Sequence, residues 1–396
     1  MDPRKIRLGV IGLGRAFSLM LPTFIGDSRV QLAAAADPRE QARQQFESDF
    51  GAPAFESVEQ LCSDPSIDAV YIASPHQFHA EHVQIAARAA KHILVEKPMA
   101  LTLSECRIMV EAAQEGGVHL IVGHSHSFDT PILRTRELIA SGTFGRLRMV
   151  TALNFTDFLY RPRRPEELNT KDGGGVIFSQ AAHQVDIVRL LAGGQGRSVR
   201  AYTGAWDPSR PTEGAYQALL NFEDGTFASL TYSGYGHFDS DEFCGWVGEL
   251  GDKKDASSYG KNRRQLQMVS SSADEAALKA SRTYGGHRYT APVGPSRPAH
   301  HQHFGMLIAS CERADLRPTP AGIEVYSDLE QRIELVPTPA VPRSEVVDEI
   351  YNAVFFDRAP LHNGKWGMAT METCLAILQS ANEGSEVTLH HQVACS

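Results

Sequence analysis

The chain has 396 residues, 42% of them hydrophobic and 21% charged, with a formal net charge of −9. That length fits two domains with large cores, and the acidic surplus argues against a nucleic-acid surface. No apolar run reaches the roughly 20 residues that would cross a bilayer, so a membrane partner is not expected.

Met1-Asp2-Pro3-Arg4-Lys5 enters the first strand without a signal-peptide core, which predicts a cytoplasmic location. Cysteines 62, 106, 244, 311, 374 and 395 form no Cys-x-x-Cys pair, as expected of reduced, buried thiols. The run Arg7 to Ile11 reads as a strand that breaks into Gly12-Leu13-Gly14-Arg15-Ala16-Phe17 and then into helix-compatible sequence. A second apolar run, Val30 to Ala36, ends in Asp37. Strand, glycine turn, helix, strand, acid is the layout of a dinucleotide-binding βαβ unit. Gly12 permits the tight turn, and Gly14 lets backbone approach a pyrophosphate at a helix N-terminus, alongside Leu13, Arg15 and Ala16. Asp37 would accept hydrogen bonds from ribose hydroxyls and repel a 2′-phosphate, which predicts NAD rather than NADP. Phe17 stands where a third Gly or Ala normally lets helix and strand pack closely, so the helix is expected further out or at another angle.

A polar helix is predicted from Glu40 to Phe50 and a short capped one at Ser57 to Leu61. The strand Ala69 to Ala73 ends in Ser74-Pro75-His76-Gln77-Phe78-His79, before a helix to about Ala90. The strand Lys91 to Val95 ends in Glu96-Lys97-Pro98. A helix from Ser104 to Glu115 leads to the strand Val118 to Val122 and Gly123-His124-Ser125-His126. Alternating strands and helices predict a doubly wound parallel sheet, whose ligand sits beyond the carboxyl ends of the strands.

From about Gly145 the pattern changes. Arg146 to Leu153 alternates like a half-buried strand, and 197–204, 215–222, 226–233, 242–250 and 323–336 also read as strands. With a helix from Val176 to Leu191, they predict an α+β domain on a large, mainly antiparallel, open-faced sheet. Residues 251–303 read as a polar insertion or flap with a helix at Ala273 to Ala280, and two helices follow at Ser344 to Phe356 and Gly367 to Asn382. The predicted domains are 1–124 for NAD and 125–396 for substrate and oligomerisation, with the C-terminal helices able to pack back on the first.

Gly12-Leu13-Gly14, Asp37, Ser74 to His79, Glu96-Lys97-Pro98, Gly173-Gly174-Gly175, His183 and Asp186 together make the chain resemble the Gfo/Idh/MocA oxidoreductases. The resemblance implies a nucleotide domain, an open-faced sheet domain and a homodimer or homotetramer. Three stretches, 123–129, 154–165 and 178–186, resemble the phthalate 4,5-cis-dihydrodiol dehydrogenases within that family. They imply NAD-dependent oxidation of 4,5-dihydro-4,5-dihydroxyphthalate to 4,5-dihydroxyphthalate in aromatic-compound degradation. Ser179 replaces the family's common Asp, and Ser125-His126 its common Asn-Arg pair, which puts the usual sugar or inositol substrates in doubt. A sugar or inositol dehydrogenase is the alternative, as is a lyase or hydrolase that oxidises transiently with bound NAD.

Hydride transfer needs an acceptor for the hydroxyl proton. Lys97 is the first candidate, as a base of lowered pKa or as a charged group that orients oxygen; His183 is the second. Asp186 reads as structural. The cofactor candidates are Gly12, Leu13, Gly14, Arg15, Ala16, Asp37, Ser74, Pro75, His76, His79, Glu96, Lys97 and Pro98. Arg161, Arg163 and Arg164, in a proline-bracketed loop, are candidates for gripping substrate carboxylates, with His126, Ser179 and His183 beside them. No metal is expected, since the histidines at 79, 82, 300, 301 and 303 lack a defined ligand set.

Overall fold

Residues 4–290 and 297–395 are described by the computed structural model; residues 291–296 of the polar stretch lie outside them. Contacts divide the chain into two units. The first comprises Met1–His124, Ala277–Arg297 and Ala340–Met368, and the second Ser125–Ala276, Pro298–Pro339 and Ala369–Ser396.

In the first unit β1 (Ile6–Ile11), α1 (Arg15–Gly26), β2 (Val30–Ala36), α2 (Glu40–Phe50) and β3 (Ala54–Phe55) form one winding half. α3 (Val58–Cys62), β4 (Ala69–Ile72), α4 (His79–Arg88), β5 (His92–Val95), α5 (Leu103–Glu115) and β6 (Leu120–Val122) form the other. The sheet order is β3-β2-β1-β4-β5-β6, with every described pairing parallel. β4 is buried along its whole length, as a strand covered by helices on both faces must be. Winding reverses between β1 and β4, and in such sheets that switch point is where ligands lie.

Phe17 is fully buried, and its aromatic bulk is housed by a later segment. Tyr284 meets it edge-on at 5.1 Å, Phe46 of α2 lies 6.3 Å away, and the Tyr284 hydroxyl donates to Asp49 at 2.6 Å. This aromatic anchor is why Ala277–Arg297, read from sequence as part of a polar insertion, groups with the nucleotide-type unit.

The second unit is built on a nine-stranded sheet. Its elements are α6 (Thr130–Ala140), β7 (Leu147–Phe155), a π-turn at Ile177–Ala181, α7 (Ala182–Leu191), β8 (Gly196–Gly204), β9 (Ala215–Phe222) and β10 (Phe227–Ser233). α8 (Lys261–Leu266), α9 (Ser272–Ser281, which from Ala277 belongs to the first unit), β11 (Met306–Cys311), β12 (Ala314–Thr319), β13 (Gly322–Ser327) and β14 (Gln331–Leu335) follow. After α10 (Ser344–Phe356), which belongs to the first unit, come α11 (Gly364–Glu383), in the second unit from Ala369 onward, and β15 (Val387–Thr388). The order is β14-β13-β12-β11-β7-β10-β9-β8-β15, antiparallel except where β10 runs parallel to β7. Every residue of α7 is buried, so this helix is an internal layer rather than a half-wet surface element.

Two strand expectations fail. Residues 242–250 form no strand: a 3₁₀ turn at Ser240–Cys244, capped by the Asp239 side chain, runs into Gly245 at φ +64°. The stretch 323–336 is a hairpin, closed where the Ser327 amide donates to the Glu330 carbonyl at 2.8 Å. β11, β12 and β15 were not foreseen; short strands with mixed polarity carry little periodic signal.

Candidate active site

The cofactor candidates all lie in the first unit and the substrate candidates all in the second. Gly12 follows β1 with φ +92°, and a Cβ there would fall 2.6 Å from the Ser74 amide nitrogen after β4. The two strand-end loops therefore approach as closely as backbone allows, at the switch point. Gly14 caps α1 without a side chain, and the first turn carries no acid, so no side chain caps or neutralises the helix N-terminus. Arg15 is exposed, Ala16 is half-buried and Leu13 is buried. That cradle fits a pyrophosphate.

Asp37 is buried at the end of β2, and its carboxylate is held from two sides. The Leu13 amide donates to Oδ2 at 2.7 Å, while the Arg39 amide and Nε donate to Oδ1 at 2.9 and 3.0 Å. Arg39 in turn donates to the Leu13 carbonyl at 2.8 Å. The acid is thus locked to the glycine turn by an arginine whose own side chain is 42% exposed.

His79 is 1% exposed. Its Nδ1 lies 3.1 and 3.2 Å from the Pro98 and Met99 carbonyls, and its Nε2 3.0 Å from that of Ser74. Burial pushes it down to about 4, so the neutral ring donates its single N–H to one of the two loops, after β4 or after β5, and packs against the carbonyl of the other. Pro75 is exposed and His76 half-buried beside it. Glu96 accepts from the Tyr71 hydroxyl at 2.6 Å, and burial holds its carboxyl above the usual range. It anchors the strand end from which half-buried Lys97 and cis-Pro98 project. A separate cavity beside Lys91 and His92 opens at the amino ends of β4 and β5, the wrong edge for this chemistry.

In the second unit His126 is 2% exposed, with Nδ1 2.7 Å from Asp129 and Nε2 3.5 Å from Glu249. Burial works against its charged form, yet Asp129 and Glu249 outweigh burial and push it up to about 9. His183 meets it edge-on at 4.9 Å, and Phe304 packs on both rings at 5.2 and 4.9 Å. Tyr232 lies parallel to Phe304 at 6.1 Å, and its hydroxyl donates to Gln180 at 3.2 Å. Asp186 accepts from Ser127 and, at 3.0 Å, from Thr370, a structural role in keeping with its sequence reading.

The arginine run is partitioned. Arg163 lies 3.6 Å over the Phe158 ring and donates to the Phe158 carbonyl at 2.6 Å; burial lowers it to about 10. Arg164 pairs with Glu166 at 3.1 Å and Glu167 at 3.6 Å. Arg161 alone reaches the histidine cluster, with Nη1 3.9 Å from the same Glu249. Ser179 donates its hydroxyl to the Gly175 carbonyl, engaging that proton within the π-turn. Gly175, at φ +80°, faces Glu213, where a Cβ would fall 2.0 Å from Oε1. Glu249, Asp129, Phe304, Tyr232 and Gln180 had no sequence assignment. Asp129 and Gln180 lay inside stretches already singled out, whereas tertiary packing alone brings Phe304 and Glu249 to His126.

Family models match both parts of the chain: "Oxidoreductase family, NAD-binding Rossmann fold" over residues 6–124, and "GFO/IDH/MocA C-terminal domain" over residues 132–252. The chain belongs to the Gfo/Idh/MocA oxidoreductase family. This oxidoreductase is 51% identical over 375 residues to a 1-carboxy-3-chloro-3,4-dihydroxycyclohexa-1,5-diene dehydrogenase of Comamonas testosteroni, covering 94% of each chain. It is 42% identical to a crystallised candidate dehydrogenase from Bordetella bronchiseptica RB50, with a TM-score of 0.91 over 97% of this chain and 100% of that one. The WlbA dehydrogenase of Bordetella pertussis, solved with NADH and UDP-GlcNAcA, shares the fold at a TM-score of 0.66 and 22% identity, over 98% of this chain and 99% of that one. The first unit is accordingly an NAD-binding domain. Among the described residues no helix is long and apolar enough to cross a membrane, and no group of three or more candidate ligands could hold a metal ion.

Proposed function

We propose that this oxidoreductase oxidises a carboxylated cyclohexadiene cis-diol, with 4,5-dihydro-4,5-dihydroxyphthalate, the compound implied by the sequence resemblance, as its leading candidate. The observation that carries the reading is the cluster around His126. His126, held protonated by Asp129 and Glu249, and Arg161, paired with Asp157 and near Glu249, offer N–H donors beside the aromatic faces of Phe304 and Tyr232, which suits a flat carboxylated ring better than a neutral polyol once the loosely held Glu249 gives way. The Comamonas relative is named for a ring of that class.

Bound NAD would supply the hydride acceptor for one hydroxyl-bearing ring carbon. The chain's own residues manage the rest. Lys97 and His183 are the groups proposed to take the hydroxyl proton or hold its oxygen. The resulting hydroxyketone loses the neighbouring ring proton and becomes the catechol, so one hydride and one net proton leave the diol. The helix N-terminus at Gly14 with Leu13, Arg15 and Ala16, the Gly12–Ser74 approach and Asp37 are proposed to hold the dinucleotide. Pro75, His76, Glu96 and Pro98 shape the loops around it.

The deciding experiment is an NADH-absorbance screen of the purified protein against the phthalate cis-diol, a monocarboxylated cis-diol, a neutral cis-diol, myo-inositol and hexoses. Turnover of a carboxylated diol with stoichiometric NADH supports the reading. Inositol or hexose as the best substrate overturns it, as does product formation without free NADH. A homodimer or homotetramer is proposed as well: Tyr202, Leu219 and Phe227 lie exposed on one face of β8, β9 and β10. Light scattering that finds a monomer would refute it.

A further inference from the structure

Glu249 lies between two cations of the second unit. Its Oε1 is 3.5 Å from His126 Nε2 and its Oε2 3.9 Å from Arg161 Nη1. Charge-assisted hydrogen bonds normally close to about 2.7–2.9 Å, and Asp129 does close to 2.7 Å on the other nitrogen of the same ring. One carboxylate thus reaches across two cations with an oxygen toward each, at more than contact distance. The other two arginines of the run are drawn elsewhere, Arg163 onto Phe158 and Arg164 onto Glu166 and Glu167. Glu249 sits in Gly248-Glu249-Leu250-Gly251, with Gly251 at φ +87°, and its side chain is 22% exposed. A glycine-flanked side chain with an outlet to solvent can swing.

Resting on the reaction proposed above, we infer that Glu249 is a resident stand-in for the substrate's carboxylate. It occupies an anion subsite formed by His126 and Arg161, and a ring carboxylate displaces it on binding. The subsite accepts a single carboxylate. Each cation keeps a nearer carboxylate of its own, Asp129 at 2.7 Å from His126 and Asp157 at 3.4 Å from Arg161, so the longer-range Glu249 can leave without stripping either of its counter-charge. A neutral diol gains nothing from the exchange, so the glutamate makes carboxylate recognition competitive.

The test needs no turnover. Calorimetry on the NAD-saturated protein measures Kd for benzoate and for benzamide, in wild type and in Glu249→Gln. Removing the competing charge is expected to tighten benzoate by roughly tenfold, within the range of coupling between close charge pairs, and to leave benzamide unchanged. Adding Arg161→Ala to Glu249→Gln should abolish the gain. Equal benzoate affinity in wild type and variant overturns the inference. So does equal tightening of benzoate and benzamide, or no benzoate binding to either protein. If Glu249→Gln does not fold, Glu249→Asp draws the carboxylate back by one methylene and is held to the same requirement. A failed diol screen would leave this binding result standing, so the two readings fail separately.

Discussion

His126→Gln removes a titrating ring while keeping an amide of similar reach, and the structure sets the size of its effect. Among the groups facing the ring are Asp129 at 2.7 Å, Glu249 at 3.5 Å, and His183 and Phe304 against its plane. Burial opposes the charge, but the two carboxylates prevail and lift the ring from the ordinary 6.5 to about 9. That gap corresponds to ~3 kcal/mol of preference for the protonated ring in the folded state. Because the folded value lies above the unfolded one, the contribution is complete below about pH 6.5, declines as pH rises and is gone above about pH 9. The comparison belongs in a His183→Gln background, so that the ring stacked edge-on against His126 does not contribute to the difference. Urea unfolding of the two proteins from about pH 6 to pH 10 should show their stability difference shrinking by ~3 kcal/mol, with a His126 ring proton titrating near 9 by NMR. A difference that stays flat across that range, or a ring that titrates near 6.5, refutes the reasoning.

Lys97→Ala and His183→Ala should each lower kcat by about 10²–10⁴-fold while leaving NAD affinity nearly intact; wild-type turnover in a folded variant removes that residue from the chemistry. Wild type should prefer NAD to NADP, and Asp37→Ser should narrow the kcat/KM ratio, since the carboxylate that repels a 2′-phosphate is lost while Arg39 remains. Equal wild-type kcat/KM values for the two cofactors would remove Asp37 from that role.

The first unit was readable because its strands are short, apolar runs ending in residues with backbone-level meaning. Gly12 is required by a φ of +92° and a neighbouring backbone, and one residue shows both. The second unit was less so. Its large sheet was visible in alternating runs such as Leu147–Phe155, but β11 and β12 carry Ser310, Cys311, Asp315 and Pro318, which blur any period of two. The Arg161-Pro162-Arg163-Arg164 run showed where positive charge is concentrated. Only the fold shows Phe158 claiming one arginine and the loop's glutamates another. Glu249 was invisible for a further reason: a lone glutamate in a glycine-rich turn resembles any solvated acid until His126 is placed beside it.

The seating of Phe17 against Tyr284 has a consequence across relatives of this chain. The third small residue of the glycine fingerprint is replaced here by a ring, and that ring is accommodated by one more than 260 residues away in sequence. Gly285 lets the segment come this close, because a Cβ there would fall 2.8 Å from the Ala42 Cα. Positions 17, 284 and 285 are therefore physically coupled, since a change at one alters the packing the others need. Lineages that restore a small residue at 17 should lose the aromatic at 284 and be free to shorten the segment around it. Those that keep the pair should keep the segment at fixed length, however much its polar flanks diverge.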